Sequence, residues 1–262
     1  AAQGEYIWFV DPDDYIKTTE VARMLKVCED NTLDIFQFNY EKVSNKGEFL
    51  FLKNNVPDST VISGSEYTKT VLGVSFLNNY DLSVWSRLYK TDYLRNNSIF
   101  FIENTIFEDL EFSLRSILLA KRIKSSSDSY YCYRDNPAST MNVLAGKYRG
   151  NDIFQVSIII GKGILKLAQE IKSIDCEISN QLINSAVWRV NQFTKPLLKA
   201  RYVEKIKFFA LIKENKLILN ELYSYFNQIN KIIVKFPFIS KSILTVFNPF
   251  VQFILKIKKW KG

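Results

Sequence analysis

Three carboxylates occupy four consecutive positions in Asp11-Pro12-Asp13-Asp14, directly after the apolar run Tyr6-Ile7-Trp8-Phe9-Val10. Acids delivered at the C-terminal end of a strand suit a hard divalent cation such as Mg²⁺ or Mn²⁺, which takes one or two carboxylates and fills its shell with phosphate oxygens and water. On that reading Asp11 and Asp13 hold the cation together with a ribose or diphosphate group, with Asp14 as their neighbour. A plainer reading fits the same residues. Asp-Pro is a common helix entry, with Asp as N-cap and Pro at the first helical position, and further acids suit the positive end of a helix dipole.

A second acidic pair, Glu108-Asp109, begins a predicted helix after a loop carrying Glu103. It too can be read as an acidic first turn. Its chemical reading is a general base, because a carboxylate in a cleft can take the proton of a hydroxyl as that oxygen attacks. One cluster suited to a cation and another to proton removal form a division of labour that neither implies alone.

The elements that must position these residues follow from the apolar pattern. Residues 5–10 read as a buried strand, and a helix from the Asp11-Pro12 entry runs through residues 19–28. Residues 33–40 alternate like a half-buried strand, and a return strand at 48–52 after Asn45-Lys46-Gly47 makes a hairpin. Ser63-Gly64-Ser65-Glu66 starts another helix, residues 83–90 form a short apolar segment carrying Arg87 and Lys90, and residues 129–134 are strand-like. Strands and helices alternate up to this point, which predicts an α/β fold. Beyond residues 136–150 the spacing is helical, with candidate helices at 152–172, 176–198 and 203–226. The predicted division is therefore 1–142 and 143–262. Gly161-Lys162-Gly163 lies inside the first of these helices and lacks the third glycine and acidic partner of a dinucleotide-binding turn.

Composition narrows the chemistry. The chain has 262 residues, is 47% apolar, and has no histidine, which excludes Ser-His catalysis and every His-containing metal site. Cys28, Cys132 and Cys176 are odd in number and widely spaced, so neither a disulfide framework nor a zinc site is implied, and a reducing cytoplasmic compartment fits best. No apolar run is long enough to span a membrane. The net charge of +8 is uneven: beyond Glu221 there is no acid, while Lys231, Lys235, Lys241, Lys256, Lys258, Lys259 and Lys261 supply seven positive charges. This tail, 231–262, mixes Lys with aliphatic and aromatic residues. It reads either as helices closing the fold or as an interfacial anchor on an anionic membrane, whereas no nucleic-acid-binding module is recognisable.

Taken in order, Gly-Glu-Tyr-Ile-x-Phe-Val-Asp-x-Asp-Asp, Val84-Trp85-Ser86-Arg87-Leu88-Tyr89-Lys90, Phe107-Glu108-Asp109-x-x-Phe112 and Tyr133-Arg134-x-Asn136-x-x-Ser139 resemble the family 2 inverting glycosyltransferases of GT-A fold. The resemblance covers roughly residues 2–142. It implies a GT-A core, N-terminally truncated because the family's nucleotide-binding half is not in this sequence, followed by a mostly α-helical C-terminal region. It further implies that Asp11 and Asp13 are the metal and nucleotide-sugar acids and that Asp109, supported by Glu108, is the catalytic base. Asp14, Trp85, Arg87, Lys90, Arg134 and Ser139 would contact donor or acceptor, with Arg87 standing where the family usually has Lys. Trp85 also reads as a core aromatic, and Arg134 as a solvated strand cation. The implied partners are a nucleotide-sugar donor, a saccharide or lipid-linked acceptor in cell-surface polysaccharide synthesis, and the inner face of a bacterial plasma membrane. The competing expectation is a non-catalytic, truncated remnant acting as a membrane-associated interaction protein.

Overall fold

The computed structural model describes residues 2–53, 56–72, 82–103, 108–136, 150–191 and 216–226, with a few single positions between 210 and 235. Ser139 and nearly all of the 231–262 tail lie outside the described residues.

The residues divide into two units, 1–143 with 167–180, and 144–166 with 181–262. The first holds a six-stranded mixed sheet. Its strands are β1 (Tyr6–Trp8), β2 (Tyr15–Ile16), β3 (Ile35–Val43), β4 (Phe49–Lys53), β5 (Arg87–Lys90) and β6 (Ile123–Arg134). The order is β1-β5-β3-β6-β2, with β4 also paired to β3. Only β3 and β6 run parallel; the other pairs are antiparallel.

Two expectations need correction. Residues 33–40 alternate in sequence, yet Ile35 to Asn39 are buried on both faces, because Phe36 and Phe38 pack with Met24 and Cys28 while Gln37, on the opposite face, meets Tyr67 and Arg87. There the polar positions are satisfied internally: Gln37 Oε1 accepts from Tyr67 Oη and Arg87 Nε. The run at 5–10 is not a buried strand either. It pairs over three residues at the end of the sheet order and is half-buried.

The Asn45-Lys46-Gly47 turn closes the hairpin as expected, with Gly47 at φ +86°, a backbone state that glycine adopts without a Cβ clash. Helix α1 (Val21–Asp30) buries Met24 and Cys28, one turn apart, against Phe36, Phe38, Trp85, Leu88, Tyr130 and Tyr131. Burial pushes the Cys28 thiol up to about 12, which leaves it inert as a thiolate.

Helix α2 (Gly64–Tyr67) starts on Ser63, whose hydroxyl accepts from the Glu66 amide. Helices α3 (Thr91–Asn96) and α4 (Glu108–Leu119) complete the helical layer before β6. The expected long helices are present as α5 (Gly150–Ile171) and α6 (Cys176–Val190), and Lys216–Glu221 falls within the third. The Gly161-Lys162-Gly163 triplet is helical. Gly161 admits Val190, whose Cγ1 would lie 2.4 Å from a Cβ at position 161.

Asp175 caps α6, accepting from the Glu177 and Ile178 amides, while its other oxygen accepts from Ser65 Oγ at 2.5 Å and pairs with Lys69 at 2.6 Å. Burial alone would raise its pKa, but these donors outweigh it and hold the carboxyl at about 2. A depressed folded-state pKa contributes stability above the unfolded value near 4, lost as pH falls through about 2. Asp175→Asn should therefore lower the urea midpoint at pH 7, with the deficit vanishing toward pH 2.

Candidate active site

The acid-bearing segment is shaped by its contacts with β6. Instead of entering a helix, Asp11 to Asp14 turn on a bond from the Asp14 amide to the Asp11 carbonyl (3.1 Å), and the chain continues into β2. The helical N-cap reading is thereby corrected: α1 begins only at Val21, after a 3₁₀ turn at Thr18–Glu20. The turn is tied down by Tyr131, whose hydroxyl accepts from the Asp11 amide (3.2 Å) and donates to Asp14 Oδ2 (2.7 Å). Asp14 Oδ1 accepts from the Arg134 amide at 2.7 Å, and Asp13 Oδ2 accepts from Asn136 Nδ2 at 2.9 Å.

The three acids are thus chemically different. Asp14 is committed to β6 through both oxygens. Asp13 is held by one oxygen, and Asp11 is anchored through its amide. Partial burial first, then the charges of Asp14, Asp13 and Glu108, raise the Asp11 pKa. Among the described residues no three His, Cys, Asp or Glu side chains form a metal-holding group. The reason is visible in Asp14, which faces Tyr131 and Arg134. Asp11 and Asp13 are therefore the acids of this turn whose carboxylates could meet a cation.

Aromatic packing sets the end of β1 beside the start of α4, and the Glu108 charge makes the smallest contribution to the raised Asp11 pKa. Phe9, two residues before Asp11, meets Phe112 at 5.5 Å, Phe101 at 5.1 Å and Tyr89 at 5.7 Å between ring centroids, and Phe112 stacks on Phe101 at 4.2 Å. Phe112 lies one turn beyond Glu108 and Asp109, so this cluster fixes the first turn of α4 beside the end of β1. Glu111, the third acid of that turn, is buried and paired with Arg115 at 2.7 Å. Glu108 and Asp109 are half-buried.

The other expected contact residues are distributed differently. Trp85 is 7% exposed, stacked on Tyr131 (4.6 Å) and Tyr133 (5.5 Å) with Tyr40 edge-on (4.6 Å), and its carbonyl accepts from Trp8 Nε1. Arg87 is fully buried and donates to Gln37, the Ser83 carbonyl and Ser113. Both meet protein atoms and support the site from behind. Lys90 pairs with Tyr6, at the far end of β1 from the acids. Arg134 lies over the Tyr15 ring at 5.6 Å, and its charge acts on Asp14, so it is not a solvated strand cation.

Tyr131 and Asn136 are the site residues that sequence reasoning did not single out. Their signal was faint: Tyr131 and Tyr133 share one strand face by alternation, and Asn136 lay inside a quoted motif without a role.

Comparison with known proteins fits this arrangement. EpsJ of Bacillus subtilis strain 168, an uncharacterized glycosyltransferase, is 30% identical over 144 residues, covering 55% of this chain and 41% of EpsJ. The poly(ribitol-phosphate) β-N-acetylglucosaminyltransferase TarS of Staphylococcus aureus strain MW2 is 30% identical over 136 residues, covering 50% of this chain and 21% of TarS. The chain is related to glycosyltransferases. The crystal structure of S. aureus TarS 1–349 in complex with UDP-GlcNAc superposes with a TM-score of 0.54 at 19% identity, over 94% of this chain and 66% of that one, so the α/β fold is shared. The chain thus spans well under half the length of these curated relatives. No protein-family model matches it.

The raised Asp11 pKa carries a stability consequence. The folded state disfavours the charged carboxylate, so Asp11 opposes folding above its folded pKa and is neutral to folding below the unfolded value. Asp11 is exposed, so Asp11→Asn should raise the melting temperature at pH 7 only slightly, and the gain should disappear near pH 3.

Proposed function

We propose that this chain carries the metal and acceptor side of an inverting, GT-A-type glycosyltransferase that moves a sugar from a nucleotide-sugar donor to a saccharide acceptor in cell-surface polysaccharide synthesis. The observation that carries the reading is the packing of Phe9, two residues before Asp11, against Phe112, one turn beyond Glu108 and Asp109, which sets the two acidic segments beside each other. The relationship to EpsJ and TarS supports the reaction class, and the UDP-GlcNAc bound by TarS supports a nucleotide-sugar donor.

Asp11 and Asp13 would hold a Mg²⁺ or Mn²⁺ ion beside the donor diphosphate, which would supply positive charge for the departing nucleoside diphosphate. Asp109 takes the proton of the acceptor hydroxyl as its oxygen attacks the anomeric carbon from the face opposite the leaving group, which inverts that centre. Glu108, on the same turn, orients the base and keeps the local field negative. Tyr131 and Asn136 hold the carboxylates in place, so little reorganisation is needed on binding. Lys and aromatic residues of the tail 231–262 place the protein on the anionic inner face of the plasma membrane, near lipid-linked acceptors. Among the described residues no helix is long and apolar enough to cross a membrane.

The test is a panel of UDP-, GDP- and dTDP-sugars with Mn²⁺, scored for donor hydrolysis and for transfer. Cation-dependent turnover of one donor is expected, abolished by Asp13→Ala. Turnover that survives EDTA, or turnover unchanged in Asp13→Ala, contradicts the reading.

A further inference from the structure

Where β2 leaves the acidic turn lies an open groove of about 880 Å³, walled by β2, the Thr18–Glu20 turn, α1 and β6. Its charges are paired across the groove. Lys17 meets Glu41 at 2.5 Å, and Arg23 meets Asp128 at 2.9 Å and Glu20 at 3.0 Å. Two cations against three carboxylates give it a slight negative excess, which disfavours a phosphate-bearing occupant. Thr18, Thr19 and Ser127 add hydroxyl-bearing residues to the lining, with Tyr15 and Leu52 as apolar surfaces.

The β6 wall is built by an irregularity. Phe38 and Asn39 are adjacent in β3, but their partners are Ser126 and Ser129, so residues 127 and 128 are extra and bulge out of the ladder. The bulge is held from both sides. Buried Asn39 donates to the Ser127 carbonyl at 3.0 Å, and Asp58 accepts from the Ser127 amide and hydroxyl at 2.8 and 3.0 Å. Bulges re-aim side chains beside functional sites, and here the result is that Ser127 and Asp128 line the groove.

We infer that this groove is a subsite for an uncharged saccharide, a ligand that offers a donor and an acceptor on each of several neighbouring carbons. Hydroxyls that donate and accept, and ion pairs whose oxygens and guanidinium each retain hydrogen-bonding capacity, match that chemistry. Tyr15 and Leu52 give a sugar ring an apolar face to lie on. Because Tyr15, which lines the groove, follows Asp14 directly, the groove begins next to the acidic turn, in position for sugar units of an acceptor beyond the reacting one. The inference rests on the glycosyltransferase reading for its place in the reaction, while binding without donor is measured independently of it.

The experiment is calorimetric titration of the full chain, without nucleotide, using cellohexaose, chitohexaose and maltohexaose as neutral probes and a ribitol-phosphate hexamer as the anionic one. At least one neutral hexaose should bind with a Kd below about 1 mM. Thr19→Trp, which fills the groove from an exposed turn, and Asp128→Asn should each weaken that binding about tenfold or more. Both variants should bind the nucleotide-sugar donor as the parent does, so a failure of the donor panel and a failure here are separate results. No neutral hexaose binding at about 10 mM, unchanged binding in both variants, or preference for the ribitol-phosphate hexamer overturns the inference.

Discussion

Asp109→Asn is expected to lower kcat by about 10²–10⁴-fold while leaving donor binding within a few-fold of the parent, because the substitution removes a proton acceptor and keeps the shape. The expectation follows from how the first turn of α4 is held. Phe112 is wedged among Phe9, Phe101 and Tyr89, so a change at Asp109 does not release the helix. Glu111 is engaged by Arg115, which leaves Glu108 and Asp109 as the half-buried acids of the turn. The charge of Glu108 acts on Asp11, so Glu108→Gln is an informative partner variant. If Asp109 is the base, Glu108→Gln should cost about tenfold or less, mostly through orientation of the turn. A larger loss in Glu108→Gln than in Asp109→Asn would exchange the two roles. Single-turnover rates at saturating donor, measured for the three proteins side by side, decide between them.

The largest expected effect on stability is at Gly64. A Cβ there would lie 1.8 Å from the Ile117 carbonyl oxygen, 2.9 Å from the Ile117 carbon and 3.2 Å from the Ala120 oxygen, all backbone atoms that have no rotamer to yield. The close approach is also what lets the Gly64 amide donate to the Ala120 carbonyl at 2.8 Å, closing the C-terminal end of α4. Gly64→Ala must push α2 and α4 apart, and a loss of about 3 kcal/mol is expected despite the better helix propensity of alanine. Gly47→Ala makes the contrast. Its Cβ would meet only the Tyr15 hydroxyl at an ordinary 3.6 Å, and its cost is the positive φ, about 1 kcal/mol. Urea unfolding of both variants measures the difference. Because α4 carries Glu108 and Asp109 at its other end, Gly64→Ala should also depress turnover more than its remaining folded fraction accounts for.

Much of this was legible in the residues themselves, and what was not shares one cause. The acids after an apolar run, the second acidic pair, the Asn45-Lys46-Gly47 turn and the Ser63 cap are local signals, and each corresponds to a local feature of the structure. The Asp11-Pro12 helix entry failed because a long-range partner overrode a local preference: Tyr131, 117 residues beyond Asp14, captures both the Asp11 amide and the Asp14 carboxyl. The alternation at 33–40 misled for the same reason, since Tyr67 and Arg87 meet Gln37 on the face opposite Phe36 and Phe38. Arg87 looked like a ligand cation because sequence cannot show that Gln37, Ser83 and Ser113 surround it. Local chemistry named the acids; tertiary contacts show that Asp14 and Glu111 are engaged by protein donors.

The claim that the turn at Asp11 to Asp14 and the start of α4 serve one reaction is tested most directly by a double-variant cycle on kcat/KM with Asp13→Ala, Asp109→Asn and the combination, in the presence of Mn²⁺. Groups acting on the same transition state are strongly non-additive, so the double variant should be no more than about tenfold worse than the worse single one. Transfer retained in both single variants, or losses that multiply in full, would contradict it.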